Sequence, residues 1–441
     1  MNATSPYPVL YIAPSLTSED EVVLGEIHQM RKDLRNVLRT PRRWEGGLRR
    51  SALARNIRGS NSIEGYEVAE DDAAAAIDGD EPFSADEKTF LEIQGYRQTL
   101  GYVLAMSEAD YATFDTTELR AMHYMLLSHD LGKSPGRYRK GPIYVHDERT
   151  DQVVYEGPDH ADVPTLMEAL AASLHVGLNS DPIVRSAMAH LNLVMIHPFR
   201  DGNGRMARAL AALVLTRSDI GEPEFCSIEE WLGANTEDYY SALAHTGHGS
   251  WKPRGDAHLW LAFILRAHHI QAQTLARRVA EAGQTWGELE ALAATHGLQE
   301  RTLDAMYDAV LGYRTRRSAY MKRAEVTEQT ATRDLAALTA AGILAAHGTG
   351  RGRQYIAGPV LREIGERRRS AREPIRDPYP WMRPRLAAWL ASRPAPRTRP
   401  HARIGPWLGG PIEPSGRLRP RSDGWPPYVR RSRPSSGGAA S

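Results

Sequence analysis

The chain has 441 residues, of which 41% are hydrophobic and 25% are charged, and its formal net charge is +1. This length allows two or three domains with a sizeable core, and the composition is ordinary for a soluble globular protein. The near-neutral charge predicts neither a nucleic-acid nor a membrane partner, and the single cysteine, Cys226, excludes an intramolecular disulfide and a cysteine-rich zinc module.

The first part of the chain, residues 1–23, lacks a basic segment and is interrupted by prolines, which argues against a signal peptide. The longest purely apolar run, residues 259–265, is far shorter than the ~20 residues that span a bilayer. A lone cysteine is also typical of a reducing compartment. We therefore expect a soluble, cytoplasmic protein without a membrane partner.

Helical periodicity dominates the chain from about residue 20 to residue 310. Apolar residues recur at positions i, i+3, i+4 and i+7 in the segments 19–38, 87–106, 163–178 and 181–196. The main interruption is the segment 136–157, where the short β-type runs Ile143–Val145 and Val153–Tyr155 flank a polar turn. This pattern predicts a β-hairpin on a helical body.

A stretch in the middle of the chain, IHPFRDGNGRMARALAAL at residues 196–213, lies between two predicted helices. The first helix spans roughly 182–196 and ends at Pro198, and the second begins near Gly204. Gly202 and Gly204 let the backbone turn tightly and approach a ligand closely. The backbone N–H groups at the start of the second helix then form an anion site.

The side chains around this anion site indicate polyphosphate chemistry. Arg205 and Arg208 are three residues apart on one helix, so both can project to one side, and two guanidiniums suit a polyphosphate. Asp201 supplies a hard oxygen ligand for Mg²⁺, and His197 can accept a proton near neutral pH. The set predicts nucleotide-dependent transfer, and the stretch contains neither a Walker A loop nor an H-E-x-x-H zinc motif. Because His197 follows a helix C-terminus, which favours the imidazolium, its neutrality as a base is in question.

Residues 197–208 resemble the Fic family motif H-x-F-x-D/E-G-N-G-R-x-x-R at every defined position. The resemblance implies a helical protein that transfers AMP from ATP to a hydroxyl side chain of a target protein and releases pyrophosphate. It assigns a role to each matching residue: His197 deprotonates the hydroxyl, Phe199 packs beneath the loop, Asp201 holds Mg²⁺, Gly202, Asn203 and Gly204 form the anion hole, and Arg205 and Arg208 bind the outer phosphates.

A second stretch, SNSIEG at residues 60–65, fits the inhibitory pattern S/T-x-x-x-E-G/N of this family. Ser60 and Glu64 lie on one face of a predicted helix, and Gly65 is a natural helix stop. The resemblance implies that Glu64 pairs with Arg208 and blocks productive binding of the γ-phosphate. A plain C-capped helix is the alternative reading.

The resemblance also places two segments beside the site. The hairpin at 136–157 matches the flap of the family, whose exposed strand edge can dock an extended target segment, with Ile143 and Tyr144 as candidate clamp residues. An ordinary surface hairpin is the alternative. The segment 225–243 resembles the part that contacts the nucleotide base, where Tyr239 and Tyr240 are candidates and core packing is the alternative.

Residues 318–356 read as helix, turn, helix, strand, Gly/Arg turn and strand, and they resemble the winged helix often fused behind Fic domains. Ala331, Leu335 and Leu338 form the apolar stripe of a helix that starts near Thr327. The candidate DNA contacts lie on its outward face and in the wing: Gln329, Thr330, Arg333, Arg351 and Arg353. Because phosphate contacts dominate such affinity and the outward face carries one arginine, protein contacts or dimerisation are an equal alternative.

The predicted fold is mainly α: a Fic helical core with a β-hairpin flap, followed by a winged helix-turn-helix domain and a disordered tail. We divide the chain into an N-terminal helical region with the inhibitory motif (1–110), the catalytic core (111–275), linker helices with the winged helix (276–358), and an Arg/Pro-rich tail (359–441). The tail cannot bury enough apolar surface to fold alone, which predicts disorder.

The leading hypothesis is an auto-inhibited protein adenylyltransferase that uses ATP and Mg²⁺ to modify a Tyr, Thr or Ser hydroxyl of a protein substrate. One alternative is removal of AMP at the same site, with Glu64 positioning water. Another is a winged-helix regulator whose Fic core only senses nucleotide. A homodimer that buries the inhibitory region is a further hypothesis.

Overall fold

The computed structural model describes residues 10–107, 115–147, 152–175, 180–218 and 223–392, and within these ranges the protein is mainly helical. The helices, in chain order, are α1 (Ser18–Leu38), α2 (Glu45–Ile63), α3 (Glu70–Asp78), α4 (Glu87–Ser107), α5 (Thr116–Leu127), α6 (Val163–His175), α7 (Pro182–Ile196), α8 (Asn203–Thr216), α9 (Pro223–Cys226), α10 (Glu229–Ala234), α11 (Thr236–Gly247), α12 (His258–Thr295), α13 (Leu303–Leu311), α14 (Arg317–Ala324), α15 (Glu328–Ala340), α16 (Pro359–Ser370) and α17 (Met382–Ser392). The strands are β1 (Tyr144–Asp147), β2 (Gln152–Glu156), β3 (Thr315–Arg316), β4 (Leu344–His347) and β5 (Gln354–Ala357). None of these helices combines the length and the apolar character that a bilayer span needs.

Helix α7 is the central helix around which the site is built. It begins where the sequence predicts, because Pro182 occupies its first turn and the Asp181 side chain accepts a hydrogen bond from the Ile183 N–H. Every residue from 186 to 196 is buried. Helix α7 therefore lacks a solvent face over this stretch, and its C-terminal end lies inside the core.

The hydrophobic interior forms two clusters, and several helices, among them α2 and α12, contribute to both. The first cluster surrounds α7 and α8, and the second surrounds α13 and α15. Helix α12 contributes Trp260 to the first cluster and Leu289 to the second, while α2 contributes Ile57 to the first and Leu48 to the second. Both helices therefore run from one core into the other.

Helices α2 and α10 cross at a contact between two glycines. A Cβ atom added to Gly59 would lie 2.3 Å from the carbonyl oxygen of Glu229, and one added to Gly233 would lie 2.7 Å from the Cα atom of Gly59. Only glycine allows two backbones to approach so closely. The crossing therefore fixes α2 immediately before Ser60.

The predicted hairpin is present, but its first strand is shifted. Strands β1 and β2 are antiparallel and pair Tyr144 with Glu156. The prediction placed Ile143 in the first strand, whereas Ile143 precedes β1 and is buried against Gly157 because it packs into the core beneath the hairpin. Of the two candidate clamp residues, the half-buried Tyr144 is the one that lies in the strand.

Residues 315–357, here called the C-terminal module, contain α14, α15 and a sheet with the strand order β3-β5-β4. Helix α15 begins directly after Thr327, whose side chain accepts an N-cap hydrogen bond. The predicted apolar stripe of Ala331, Leu335 and Leu338 is buried. The elements follow the predicted order, and the assignment as a winged helix stays a prediction.

The prediction of a disordered C-terminal tail is wrong for its first part, residues 359–392. Helix α16 buries Leu361 and α17 buries Leu386, so each helix has an apolar side that packs on the body. The arginines of this part are not simply solvated, since Arg372 donates to Glu281 of α12 with an N–O distance of 2.7 Å. The rest of the tail lies outside the described residues.

The predicted domain boundary at residue 275 falls inside α12, which is continuous from His258 to Thr295. A continuous helix cannot act as a flexible linker, so the catalytic region and the region that follows share one rigid element. The predicted boundary at residue 110 lies outside the described residues.

Candidate active site

His197 is held in a left-handed backbone conformation directly after α7, with a φ angle of 51°. Its side chain is buried, and Nδ1 lies 3.2 Å from the carbonyl oxygen of Val194. If Nδ1–H donates to that carbonyl, the neutral ring carries its lone pair on Nε2. Burial lowers the pKa of His197 to about 4. Burial thus outweighs the preference of a helix C-terminus for the imidazolium, and the ring is neutral at pH 7.

Arg139, which the sequence did not single out, joins the segment before the hairpin to His197. Its buried guanidinium donates to four backbone carbonyls: those of His197 at 2.9 Å, Pro158 at 2.6 Å, Gly141 at 2.8 Å and Ile196 at 3.5 Å. A cation at the C-terminal end of α7 interacts favourably with the helix dipole. The same positive charge helps to keep the pKa of His197 low, since it opposes protonation of the ring.

The loop between α7 and α8 is held by its own asparagine and by a histidine of α5. Asn203 accepts a hydrogen bond from the Phe199 N–H and donates one to the Phe199 carbonyl, both at 2.9 Å. His123 stacks on Phe199, accepts a hydrogen bond from the Gly136 N–H and donates to the Asp201 carbonyl. The side chain of Asn203 therefore shapes the loop. Only the backbone N–H of Asn203 is available for its predicted role in the anion hole.

The N-terminus of α8 is the predicted anion site. Gly202 is the N-cap residue with a φ angle of 75°, and it provides no side chain to cap the helix. The N–H groups of the first turn have no intrahelical partner, so those of Asn203, Gly204 and Arg205 are directed out of the helix end. Together with the helix dipole they favour a bound anion.

The stretch at residues 60–65 contacts the last arginine of the motif. Arg208 is 2% exposed, and its Nη2 lies 2.7 Å from Oε1 of Glu64. Its Nε donates to the Ser60 hydroxyl at 2.7 Å. Glu64 is one residue past the end of α2, and Gly65 follows with a φ angle of 80°. Ser60 and Glu64 thus both reach Arg208, and the Glu64 carboxylate also lies against the backbone of Gly204.

Arg205 pairs with a second carboxylate, Glu92 of α4. Both side chains are 1% exposed, and Arg205 Nη1 lies 2.5 Å from Glu92 Oε2. Lys133 Nζ lies 2.6 Å from the other oxygen of Glu92, which also accepts a hydrogen bond from the Tyr66 hydroxyl. Arg205 thus supplies a cation to a buried carboxylate, which needs one, and its role in phosphate binding beside Arg208 stays a prediction.

Asp201, the candidate ligand for Mg²⁺, is already paired. Its Oδ1 accepts a hydrogen bond from the Gly202 N–H at 2.6 Å, and its Oδ2 lies 2.9 Å from Lys133 Nζ. Burial alone would raise the pKa of Asp201, but the charges of Arg205 and Lys133 outweigh burial and lower it, so the carboxylate is ionised. In the described part of the chain, no group of three His, Cys, Asp or Glu could hold a metal by itself. One carboxylate fits an Mg²⁺ ion that phosphate oxygens and water mainly coordinate.

An open pocket brings the front of the site together. Its lining includes His197, the Gly202–Gly204 turn, Arg208 and Glu64 with the two predicted tyrosines, Tyr239 and Tyr240. The Tyr239 side chain is almost fully buried, and its hydroxyl lies 3.0 Å from Nε2 of His190. Tyr240 donates to the carbonyl of Ile63 at 2.9 Å, so α11 is bonded to the end of α2. Both tyrosines therefore border the pocket, and Tyr239 is mainly part of the core.

The candidate DNA contacts do not line this pocket. Gln329, Arg333 and Arg353 are exposed, and Thr330 is half-buried. The side chain of Arg351 lies outside the described residues.

Four residues of the site were missed from the sequence: Glu92, His123, Lys133 and Arg139. Glu92 left a signal, since it is a charged residue at a core-facing position of an amphipathic helix, between Phe90 and Ile93. The other three contact residues more than fifty positions away, which no local pattern predicts.

Comparisons with known proteins match the part of the chain that contains this site. A profile of the Fic/DOC family matches residues 113–215. The chain is 27% identical over 250 residues to the protein adenylyltransferase Fic of Nematostella vectensis, a match that covers 54% of each protein. It is 30% identical over 150 residues to the protein adenylyltransferase fic-1 of Caenorhabditis elegans, which covers 34% of this chain and 27% of that protein. The chain thus spans about half the length of the first relative and about a quarter of the second. A Fic family protein from Desulfovibrio desulfuricans G20 has a similar structure with a TM-score of 0.49 and 23% identity, over 79% of this chain and 98% of that one.

Proposed function

Because the chain is a Fic family protein, we propose that it is an auto-inhibited protein adenylyltransferase, which transfers AMP from ATP to a hydroxyl group of a target protein. The observation that carries this proposal is a neutral, buried His197 beside a helix N-terminus that opens into one pocket. A base and an anion site side by side are what transfer of a phosphoryl-type group requires.

In the proposed reaction the oxygen of the acceptor hydroxyl attacks the α-phosphorus of ATP, and its proton passes to Nε2 of His197. The bond from the α-phosphorus to the bridging oxygen of the β-phosphate breaks, and pyrophosphate leaves. The first-turn N–H groups of α8 orient the phosphates. The chemistry that Mg²⁺ supplies, when Asp201 and the phosphates hold it, is neutralisation of charge on the leaving group.

The auto-inhibited state is supported by the position of Glu64. Its carboxylate pairs with Arg208 and lies at the anion-binding end of α8. A phosphate and this carboxylate carry the same charge and require the same donors, so they exclude each other. A closed state favoured by ~1.4 kcal/mol lowers the competent population about ten-fold.

Mass spectrometry after incubation with ATP and Mg²⁺ tests the reaction. We expect a mass increase of one AMP on a hydroxyl side chain of the protein itself or of an added target, larger in Glu64→Gly. The adduct should disappear in His197→Ala and persist in the control His160→Ala, because His160 is exposed. If Glu64→Gly yields no adduct on any protein and calorimetry finds no ATP binding, the proposal is wrong.

Removal of AMP at the same site is a second candidate, because Glu64 lines the same pocket as His197 and could orient a water molecule. Water would attack the α-phosphorus, and its proton would pass by way of Nε2 of His197 to the leaving oxygen, so that AMP and the free hydroxyl of the target are the products. Incubation of an AMP-modified target with Mg²⁺ and no ATP separates the two directions. Loss of AMP in the wild type but not in Glu64→Gly supports the reverse reaction.

DNA binding by the C-terminal module remains a separate hypothesis. It is supported by the exposed Gln329 and Arg333 on α15 and by the exposed Arg353 before β5. Under the regulator hypothesis, His197→Ala would leave the cellular effect of the protein intact, whereas substitution of Arg333 would abolish it.

A further inference from the structure

Lys133 lies between two carboxylates of the site. Its Nζ is 2.9 Å from Asp201 Oδ2 and 2.6 Å from Glu92 Oε1, and its side chain is 18% exposed. The residue ends a single 3₁₀ turn, Leu131–Lys133, which the Asp130 side chain caps. The capped turn fixes the backbone of Lys133 near Asp201. Moving the ammonium away from Asp201 therefore costs free energy.

The charges around this ammonium are balanced. Three carboxylates and three cations line the wall of the site: Glu64 pairs with Arg208, Glu92 with both Arg205 and Lys133, and Asp201 with Lys133. Glu92 keeps Arg205 as its partner if Lys133 is removed. Asp201, in contrast, has Lys133 as the cation within salt-bridge distance, and its other oxygen is used by the Gly202 N–H.

We propose that Lys133 is the resident cation of Asp201 and competes with a divalent metal ion for this carboxylate. This inference rests on the proposed nucleotide site. Two cations at one carboxylate oxygen repel each other strongly in a half-buried site, so the metal ion binds poorly to the free protein. A polyphosphate adds several negative charges, which accommodate both cations. Lys133 is thus a positioning residue that makes metal binding depend on nucleotide.

The test measures Mn²⁺ binding to the nucleotide-free, full-length protein by electron paramagnetic resonance, and it does not involve AMP transfer. We expect Lys133→Met to bind Mn²⁺ about ten-fold more tightly than the wild type, since a competing charge is removed. This gain should vanish when Asp201→Asn is added. Lys133→Arg keeps the cation and should behave as the wild type, and so should Lys140→Met, because Lys140 is an exposed lysine of the same segment.

A purely structural role for Lys133 would predict the opposite result. Mn²⁺ affinity would then be unchanged or reduced in Lys133→Met, and either outcome overturns the inference. A folding check by circular dichroism accompanies each variant, and Lys133→Gln replaces Lys133→Met if the latter does not fold. Failure of the proposed function appears separately, as the absence of an AMP adduct on any protein.

Discussion

An oxygen of the Glu64 carboxylate lies 2.3 Å from the point where Gly204 would carry a Cβ atom. The absence of a side chain at Gly204 is therefore what lets Glu64 reach the anion-binding end of α8. In the proposed auto-inhibited state, this carboxylate is an anion supplied by the protein itself, and it holds Arg208 at the place where a phosphate would bind.

Removal of this anion should activate the protein. We expect Glu64→Gly to raise the rate of self-modification with ATP and Mg²⁺ by about ten-fold or more, since a shift of ~1.4 kcal/mol already changes the population ten-fold. Glu67→Gly serves as the control, because Glu67 is an exposed glutamate three residues away. Intact-mass spectrometry over time gives both rates, and equal rates in the two variants would reject the inhibitory role of Glu64.

The glycine crossing of α2 and α10 gives a second way to release the latch, by which we mean the contact of Ser60 and Glu64 with Arg208. Gly59→Ala places a methyl group against the carbonyl of Glu229, which should cost ~1–3 kcal/mol and displace the end of α2. We expect a lower melting temperature together with faster self-modification. Gly46→Ala in the first turn of the same helix meets nothing within 4 Å and should leave both quantities unchanged or slightly raise stability. Faster unfolding without activation in Gly59→Ala would show that the crossing does not hold the latch.

The pH dependence of the rate reports on His197. Its pKa in the folded protein is about 4, below the ordinary value of 6.5, because the ring is buried. A general base must be neutral, so the rate in the Glu64→Gly background should stay constant as the pH falls from 7 to 5 and decline only near 4. Initial rates across this range check the expectation. A decline centred near pH 6.5 would mean that the ring is hydrated in solution.

Two neighbouring glutamates of α10 should respond in opposite ways to the same substitution. Burial raises the pKa of Glu229 to about 7, although the Tyr96 hydroxyl and Arg208 partly offset it. The folded state therefore binds more protons than the unfolded chain between pH 4.5 and 7, and stability falls as the pH rises through this window. Glu229→Gln should be more stable than the wild type at pH 8, and the difference should shrink at pH 5.

Glu230 is the matched contrast. Burial would raise its pKa, but Arg278 outweighs burial and lowers it to about 2, with an Nη2–Oε1 distance of 2.5 Å. Glu230→Gln should therefore be less stable by ~1–3 kcal/mol at both pH values. Urea unfolding at pH 5 and pH 8 measures both variants. A loss of stability in Glu229→Gln at pH 8 would contradict the conclusion that the buried, ionised Glu229 carboxylate destabilises the folded state.

The DNA hypothesis for the C-terminal module has a direct test in fluorescence anisotropy with duplex DNA. If the module binds DNA, Arg333→Ala and Arg353→Ala should each weaken binding and reduce its dependence on salt concentration. Arg362→Ala is the control, since Arg362 is an exposed arginine of α16 outside the module. Salt-independent binding, or equal binding by all variants, would favour a protein-contact role.

Local sequence patterns correctly predicted the helix that positions the site. The Asp181–Pro182 start and the stop before Pro198 give the observed bounds of α7, because helix caps and proline act through neighbours in the chain. The partnership of Glu64 with Arg208 was expected from the family resemblance, and the two residues are in contact.

The errors arose where distant residues decide the outcome. The ion pair of Arg205 with Glu92, which is 113 positions away in the sequence, was not predicted. Composition predicted disorder from residue 359. Instead, Leu361 of α16 is buried, and Arg372, which follows α16, pairs with Glu281 of α12. Neither interaction can be read from sequence periodicity, because each joins residues that are far apart in the sequence and meet only in the folded structure.

Helix α2 has one end in each core: Leu48 packs in the cluster around α13, and Ile57 packs in the cluster around α7. Near its first end, Arg50 is bonded to Asp308 of α13, and its other end carries the residues that hold Arg208. If nucleotide binds beside Arg208 as proposed, a ligand that alters the packing of α13 would change the affinity for nucleotide through one continuous helix. By thermodynamic reciprocity, nucleotide would change the affinity for that ligand by the same factor.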